Sequence, residues 1–480
     1  MHDLETLKNG GYRGAGLTQF KLTCPLAVFP DEILELGETL KQLDLSGTGI
    51  SSLPANLGSA LPNLKIAFFS DCKFTVFPKE LATCPSLETV AFRNNGMEDI
   101  PEDAFPPRLR WLILTGNRLT SLPSTIGRCD RLEKCMLAGN QLQDLPTSMA
   151  QCKNLALLRL SSNHFASLPP WLFTLPSLAF LSFAGNPCAS PPTNTPISTP
   201  LLATIPWSDL TLHEPLGAGA SGTTSRGLWH QSPTYAEDVA VKLFHGALTS
   251  DGNPRDEMAA CLAAGAHESL ITVLGRIHGH PDELSPATTN PGKEEAGGFQ
   301  GGGLVMQLIP SEYTVLGQPP SLGTCTRDRF PEGEDGGVSS FGVECVLAML
   351  TGIAGAAEHL HARGIAHGDL YAHNILASKE DAHALVGDFG AATVYGHGDY
   401  DMERIEVLAF AHLVEDMLGL VVEGDGGQAE AVLQGLRDLH ARCAVPAVEA
   451  RPSFEEVVEE LEGMMGWRGM MRIPDIPNPN

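Results

Sequence analysis

The chain has 480 residues, 43% hydrophobic and 18% charged, with 31 Lys+Arg against 57 Asp+Glu for a net charge of −26. That length supports two or three domains with sizeable cores, and the acidic balance argues against nucleic acid as a partner because phosphates repel an acidic surface. The charge is uneven: residues 1–206 hold 16 basic and 17 acidic side chains, net −1, and residues 207–480 hold 15 and 40, net −25, so the halves read as different domains.

The start, MHDLETLKNGG, lacks the basic and apolar regions of a secretory signal. The eleven cysteines are scattered, with no C-x-x-C pair, as expected of reduced thiols in a cytoplasmic protein. VLAMLTGIAGAA is the most apolar run, and it is too short to span a bilayer, so no membrane insertion is expected.

Self-comparison finds a period. LKQLDLSGTGISSLP, LETVAFRNNGMEDIP, LRWLILTGNRLTSLP, LEKCMLAGNQLQDLP and LALLRLSSNHFASLP share the template L-x-x-L-x-L-x-x-N-x-L-x-x-L-P. Leu40, Leu64, Leu87, Leu109, Leu132, Leu155 and Leu178 open successive copies at spacings of 22 to 24, and Leu17 opens a degenerate one. Alternate leucines predict a short strand with one face turned inward. Asn95, Asn117, Asn140, Asn163 and Asn186 sit where the chain turns, able to bond backbone groups left unpaired there, and Thr48 and Cys72 take that place in the first two full copies.

These copies resemble leucine-rich repeats over about residues 17–190. The resemblance implies an α/β solenoid of short parallel strands, with an N-terminal cap over 1–39 and repeats over 40–190. Such arrays bind protein on the concave face, whose variable positions here include Lys41, Asp44, Arg93, Arg110, Lys134, Met136 and Arg159. A protein partner or substrate on that face is one expectation; the plain alternative is a solvated surface with a basic tilt. Residues 191–207, rich in Pro, Ser and Thr, read as a linker.

In the second half, LGAGASG sets Gly217, Gly219 and Gly222 in the order G-x-G-x-x-G, which lets backbone N–H groups approach a polyphosphate. VAVKLF reads as a strand holding Lys242, and a lysine inside an apolar strand needs a charged partner. Glu257, on a following helix, is the candidate, with Asp256 the alternative. GGLVMQLIP predicts a buried strand passing into a hinge, VLAMLTGIAGAAEHLHARG a long helix, HGDLYAHN a loop, and LVGDFGAA a short strand ending in Asp388-Phe389-Gly390.

In this order the segments resemble the eukaryotic-type protein kinase fold, an α+β two-lobed domain, over about residues 208–470, with 471–480 as a tail. The resemblance implies ATP and Mg²⁺ as cofactors. It places Gly217, Gly219 and Gly222 over the phosphates, Lys242 on them while paired with Glu257, and Ala240, Met306 and Leu308 at the nucleotide base. It makes Asn374 and Asp388 metal ligands and Asp369 the catalytic base that orients an acceptor hydroxyl. Glu406 opens the central helix at a position usually held by aspartate, and Arg451 lies in the last helical region, with Glu403 the candidate partner.

Three positions depart from the family pattern. Tyr371 stands where serine/threonine kinases carry lysine, and His373 where receptor-type tyrosine kinases carry arginine. His373 is therefore the candidate replacement cation, against the alternative of a merely packed histidine. Gly368 replaces an arginine that grips a phosphorylated activation loop. Only fifteen residues separate Gly390 from Glu406, so Gly368 is read as the partner of a shortened segment that needs no ordering by Thr393, Tyr395 or Tyr400 phosphorylation.

The expected function is an ATP- and Mg²⁺-dependent protein kinase used in signalling, serine/threonine rather than tyrosine, with the repeats recruiting a partner. A pseudokinase scaffold and a small-molecule phosphotransferase of aminoglycoside or choline kinase type are the alternatives. Residues 281–302 and 310–340 read as loop insertions of unassigned role.

Overall fold

Each repeat lays down one three-residue strand. In the computed structural model β1 (Gln19–Lys21), β2 (Gln42–Asp44), β3 (Ile66–Phe68), β4 (Thr89–Ala91), β5 (Trp111–Ile113), β6 (Lys134–Met136), β7 (Leu157–Arg159) and β8 (Phe180–Ser182) form one parallel sheet in chain order. The structure describes every residue except 1, 190–202, 220, 245–247, 250, 282–301, 331–339, 397–400, 423–426 and 467–480. Most of the expected linker, most of the expected insertion at 281–302, part of that at 310–340, Tyr400 and the tail thus lie outside the described residues.

The asparagines act as expected. Asn163 donates to the carbonyls of Leu137 (3.0 Å) and Leu160 (2.9 Å) and accepts from the Leu142 N–H (3.0 Å), so one amide ties two neighbouring repeats. Thr48 and Cys72 both donate to the Leu45 carbonyl instead. The convex side is mostly tight 3-10 turns such as Ser124–Arg128 and Thr147–Gln151, each entered from a proline whose fixed φ starts the turn. Short helices α1 (Leu4–Lys8) and α2 (Leu57–Ala60) complete the array.

The chain then enters a six-stranded sheet at β9 (Ala203–Pro206). It is followed by β10 (Leu210–Ala218), β11 (Gly222–Ser232), β12 (Tyr235–Phe244), β13 (Val273–His278) and β14 (Gly303–Gln307). Their order is β10-β11-β12-β14-β13-β9, antiparallel apart from the β13–β9 pair. Helix α3 (Pro254–Ala264) follows β12; Asn253 caps it by accepting from the Arg255 N–H, and Pro254 starts its first turn.

The second lobe is helical. Helix α4 (Val343–His361) packs against α5 (Met402–Leu418), α6 (Gly427–Cys443) and α7 (Phe454–Met464). Between α4 and α5 lie β16 (Ile365–Ala366), β17 (Ile375–Ser378), β18 (His383–Val386) and β19 (Thr393–Val394), with β15 (Thr314–Val315) preceding α4. Among the described residues α4 is the one helix long and apolar enough to cross a membrane, and it is a core helix of this lobe.

Residues 310–330 are more than an inserted loop. They contribute β15, which pairs with β17, and they bury Cys325 and Asp328.

The two halves share a core. Met136, Leu157, Ala179 and Phe180 of the array belong to one apolar cluster with Leu370, Tyr371, Phe410 and Leu413 of the helical lobe. Phe180 stacks on Tyr371 with ring centroids 3.9 Å apart and planes 12° apart. At β6–β8 the concave side of the array is thus covered by the chain's own second domain: Lys134 and Arg159 are buried there. Asp44, farther along, pairs with Lys21 at 2.7 Å, and Lys41 is exposed.

Candidate active site

Strand β12 buries Val239 and Val241 and carries Lys242 toward α3. The Lys242 ammonium pairs with Glu257, as expected, and the rival Asp256 is directed toward Gly185 of the array. Burial works to discharge Lys242, but the negative charges of Glu257 and Asp388 outweigh it and hold its pKa above the ordinary lysine value.

Two adjoining cavities meet at Lys242. One, of about 460 Å³, is walled by Leu216, Ala240, Met306, Leu308 and Leu376 and has the mainly apolar lining that suits a planar base. The other, of about 230 Å³, lies under Gly217, Gly219 and Gly222 and is faced by Thr249, Asp251 and Asp388. Lys242 and Asp388 line both. The Gly219 N–H bonds the Gly222 carbonyl (2.9 Å), closing a tight turn, and a Cβ on Gly222 would strike the Leu243 carbonyl. Gly217 and Gly219 have open space where a side chain would project, which leaves their backbone accessible to a ligand.

The loop beneath is held by buried groups. His367 Nε2 bonds the Gly387 carbonyl (2.8 Å), and Glu406 of α5 accepts the Gly368 N–H while its other oxygen bonds His361 (2.7 Å). Burial alone would raise the Glu406 pKa; the bond and charge of His361 and the Gly368 N–H bring it below the usual carboxylate value. Asn374 donates its side-chain amide to the Asp369 carbonyl (2.9 Å) and carboxylate (3.0 Å). That leaves the Asn374 amide oxygen and the Asp388 carboxylate as hard oxygen donors of the type Mg²⁺ takes. Asp388 sits at φ +53°, and the Gly390 N–H bonds its Oδ1 (3.1 Å). The residues present fit a phosphate-bound Mg²⁺.

The cation that reaches Asp369 comes from the array. Arg159, 1% exposed, pairs with Asp369 through one terminal nitrogen and donates to the Gly368 carbonyl (2.7 Å) through the other. Its Nε bonds Asp251 at 2.9 Å. Burial opposes its charge, and Asp369 and Asp251 more than restore it, raising its pKa.

His373, expected as the replacement cation, is held by Asp328: its Nδ1 lies 2.7 Å from Asp328 Oδ1, and its N–H bonds Oδ2 (3.1 Å). Burial favours the neutral ring, but Asp328 wins, so the His373 pKa is raised.

Gly368 has a packing reason beside the one expected. It sits at φ +73°, and a Cβ there would lie 2.5 Å from the Ala391 carbonyl and 3.1 Å from the Leu181 carbonyl of the array. An arginine is missing because backbone fills its place. Arg451 does not pair with Glu403. It donates to the carbonyls of Val445 (3.0 Å), Arg404 (3.0 Å) and Pro176 of the array (2.7 Å), whereas Glu403 accepts the Phe454 N–H at the start of α7 (2.7 Å).

In the short segment after Gly390, Thr393 is buried with its hydroxyl accepting the Phe183 N–H (3.0 Å), and Tyr395 is buried against His361 (2.8 Å). Sequence reasoning missed the roles of Arg159, Phe180, Asp251 and Asp328. The one available signal was the basic tilt of the array beside an acidic second half.

Comparison with known proteins agrees with both halves. Residues 107–165 match the leucine rich repeat family, and residues 308–411 match the protein tyrosine and serine/threonine kinase family. A probable myosin light chain kinase of Dictyostelium discoideum is 47% identical over 49 residues, which is 10% of this chain and 16% of that protein. The matches thus find a leucine-rich repeat region and, after it, a protein tyrosine and serine/threonine kinase domain in this chain.

Proposed function

We propose that the chain is an ATP- and Mg²⁺-dependent protein kinase that phosphorylates serine or threonine hydroxyls. The observation that carries the reading is the Lys242–Glu257 pair set against Asp388, beside the Asp369–Asn374 loop. In this reading the glycine turn and Lys242 hold the phosphates, and Ala240, Met306 and Leu308 hold the base. Asn374 and Asp388 hold Mg²⁺, which would neutralise charge on the phosphates. Asp369 takes the proton of the acceptor hydroxyl as its oxygen attacks the γ-phosphorus; the bond to the β–γ bridging oxygen breaks and ADP leaves with that electron pair.

Burial of Thr393 and Tyr395 supports activity without phosphorylation of this segment. Recruitment of a protein partner by the array would fall to its uncovered strands near Lys41, since a partner at β6–β8 would compete with the catalytic domain.

The test is transfer of labelled phosphate from Mg-ATP by the full chain, followed by mapping of the labelled residues. Labelled protein from the wild type and none from Asp388→Ala supports the reading; equal label from both defeats it. A small-molecule phosphotransferase is favoured by one observation, the covering of the catalytic loop by the array. Transfer to amines or sugars with no labelled protein would establish it.

A further inference from the structure

We infer that the active site is composite: Arg159 of the repeat array is the positioning residue that bonds the Asp369 carboxylate with a guanidinium, a permanent cation of the kind the loop's own sequence lacks. The inference rests on the kinase reading above and adds to it the source of the charge beside Asp369.

The loop from His367 to Asn374 contains no lysine or arginine. Its base needs one carboxylate oxygen turned toward the acceptor, and a base held on one side alone can swing. Asn374 holds Asp369 Oδ2 (3.0 Å), and Arg159 holds Oδ1. The same guanidinium reaches Asp251, which faces the glycine-covered cavity, so one rigid fork ties the segment before α3 to the catalytic loop. Asp369 keeps 20% of its side chain exposed and Asp251, which lines the glycine-covered cavity, 30%, even though Arg159 itself is enclosed.

The departures at Gly368 and Tyr371 each have a counterpart in the array. The missing side chain at Gly368 makes room for the Leu181 carbonyl as well as for the nearer Ala391 carbonyl. Tyr371, in place of a lysine, is the surface on which Phe180 stacks. The absent cation is answered by Arg159. An array that served as a removable lock would cover a loop complete in itself. Here, among the described residues, the loop freed of the array keeps the Asn374 amide as the hydrogen-bond donor to the Asp369 carboxylate, so release would leave the site deficient rather than active.

The experiment uses the full chain with Arg159→Gln and Arg159→Lys, and Arg110→Ala as a control. Arg110 makes another array-to-domain bond, to the Gly323 carbonyl (3.0 Å), away from the catalytic loop. For Arg159→Gln the expected result is a fall in kcat of about 100-fold, in the range for loss of one group that orients a catalytic base. KM for ATP should stay within about threefold and Mg-ADP should still raise Tm, because Arg159 itself lines neither nucleotide cavity. Arg159→Lys should recover part of kcat, and Arg110→Ala should keep it.

Should Arg159→Gln fold poorly, adding Asp369→Asn should restore Tm, since it removes the carboxylate left unpaired; strictly additive losses of Tm would defeat the pairing. An active wild type with kcat unchanged or raised in Arg159→Gln overturns the inference, a rise marking the array as a lock. A wild type that transfers phosphate to no acceptor overturns the kinase reading and this inference together.

Discussion

Gly368→Ala adds one methyl group to a position that a kinase would ordinarily give to arginine, and it should cost the protein heavily. The residue sits at φ +73°, where an L side chain is disfavoured by about 1–2 kcal/mol. The new Cβ would lie 2.5 Å from the Ala391 carbonyl and 3.1 Å from the Leu181 carbonyl, both backbone atoms, so the crowding cannot be relieved by a rotamer change. Overpacking of this kind adds about 1–3 kcal/mol.

The sum is about 2–5 kcal/mol, and its middle corresponds to about 5–10 °C in Tm for a domain of this size. Differential scanning calorimetry of the full chain, with limited proteolysis to reveal separation of the array, measures it. A Tm within 1–2 °C of wild type would refute the claim that backbone packing excludes a side chain here.

Three further outcomes test the packing and the charges. Asn140→Ala removes bonds to the carbonyls of Leu114 and Leu137 and from the Leu119 N–H, and should cost about 2–4 kcal/mol in urea unfolding. Tyr371 has a buried hydroxyl with no hydrogen-bond partner among the described residues, so Tyr371→Phe should leave stability unchanged or raise it by about 1 kcal/mol. The raised pKa of His373, which faces Asp328 and senses Asp369 and Asp388, means the folded state binds its proton more tightly than the unfolded chain. Its contribution is full below about pH 6.5 and is lost as pH rises through the raised value. The Tm gap between wild type and Asp328→Asn should therefore be widest near pH 5.5 and shrink by pH 8.5; a gap independent of pH would contradict the pairing.

What could be read in the sequence was whatever is local. A repeat of 22 to 24 residues reports its own strand and turn, because each copy carries the leucines and the asparagine that it needs. Lys242, Glu257, Asp369, Asn374 and Asp388 sit in short segments whose order and surroundings mark them. Arg159 and Asp369 are 210 residues apart, and no local pattern joins them. Gly368 illustrates the same limit from the other side: a glycine in sequence is compatible with a lost function, whereas the backbone beside it makes the residue a requirement of packing. His373 had the right chemistry for a cation near the base, and the group that holds its ring, Asp328, comes from a stretch read only as an insertion.

The shared core also sets a problem of timing. The array leaves the ribosome first, and until the helical lobe follows, Met136, Leu157 and Phe180 have nothing to pack against. Three apolar side chains on adjacent strands then form a contiguous sticky patch beside the buried charges of Lys134 and Arg159. The nascent chain therefore passes through a stage that invites chaperone capture or self-association, and the array made alone would keep that surface permanently.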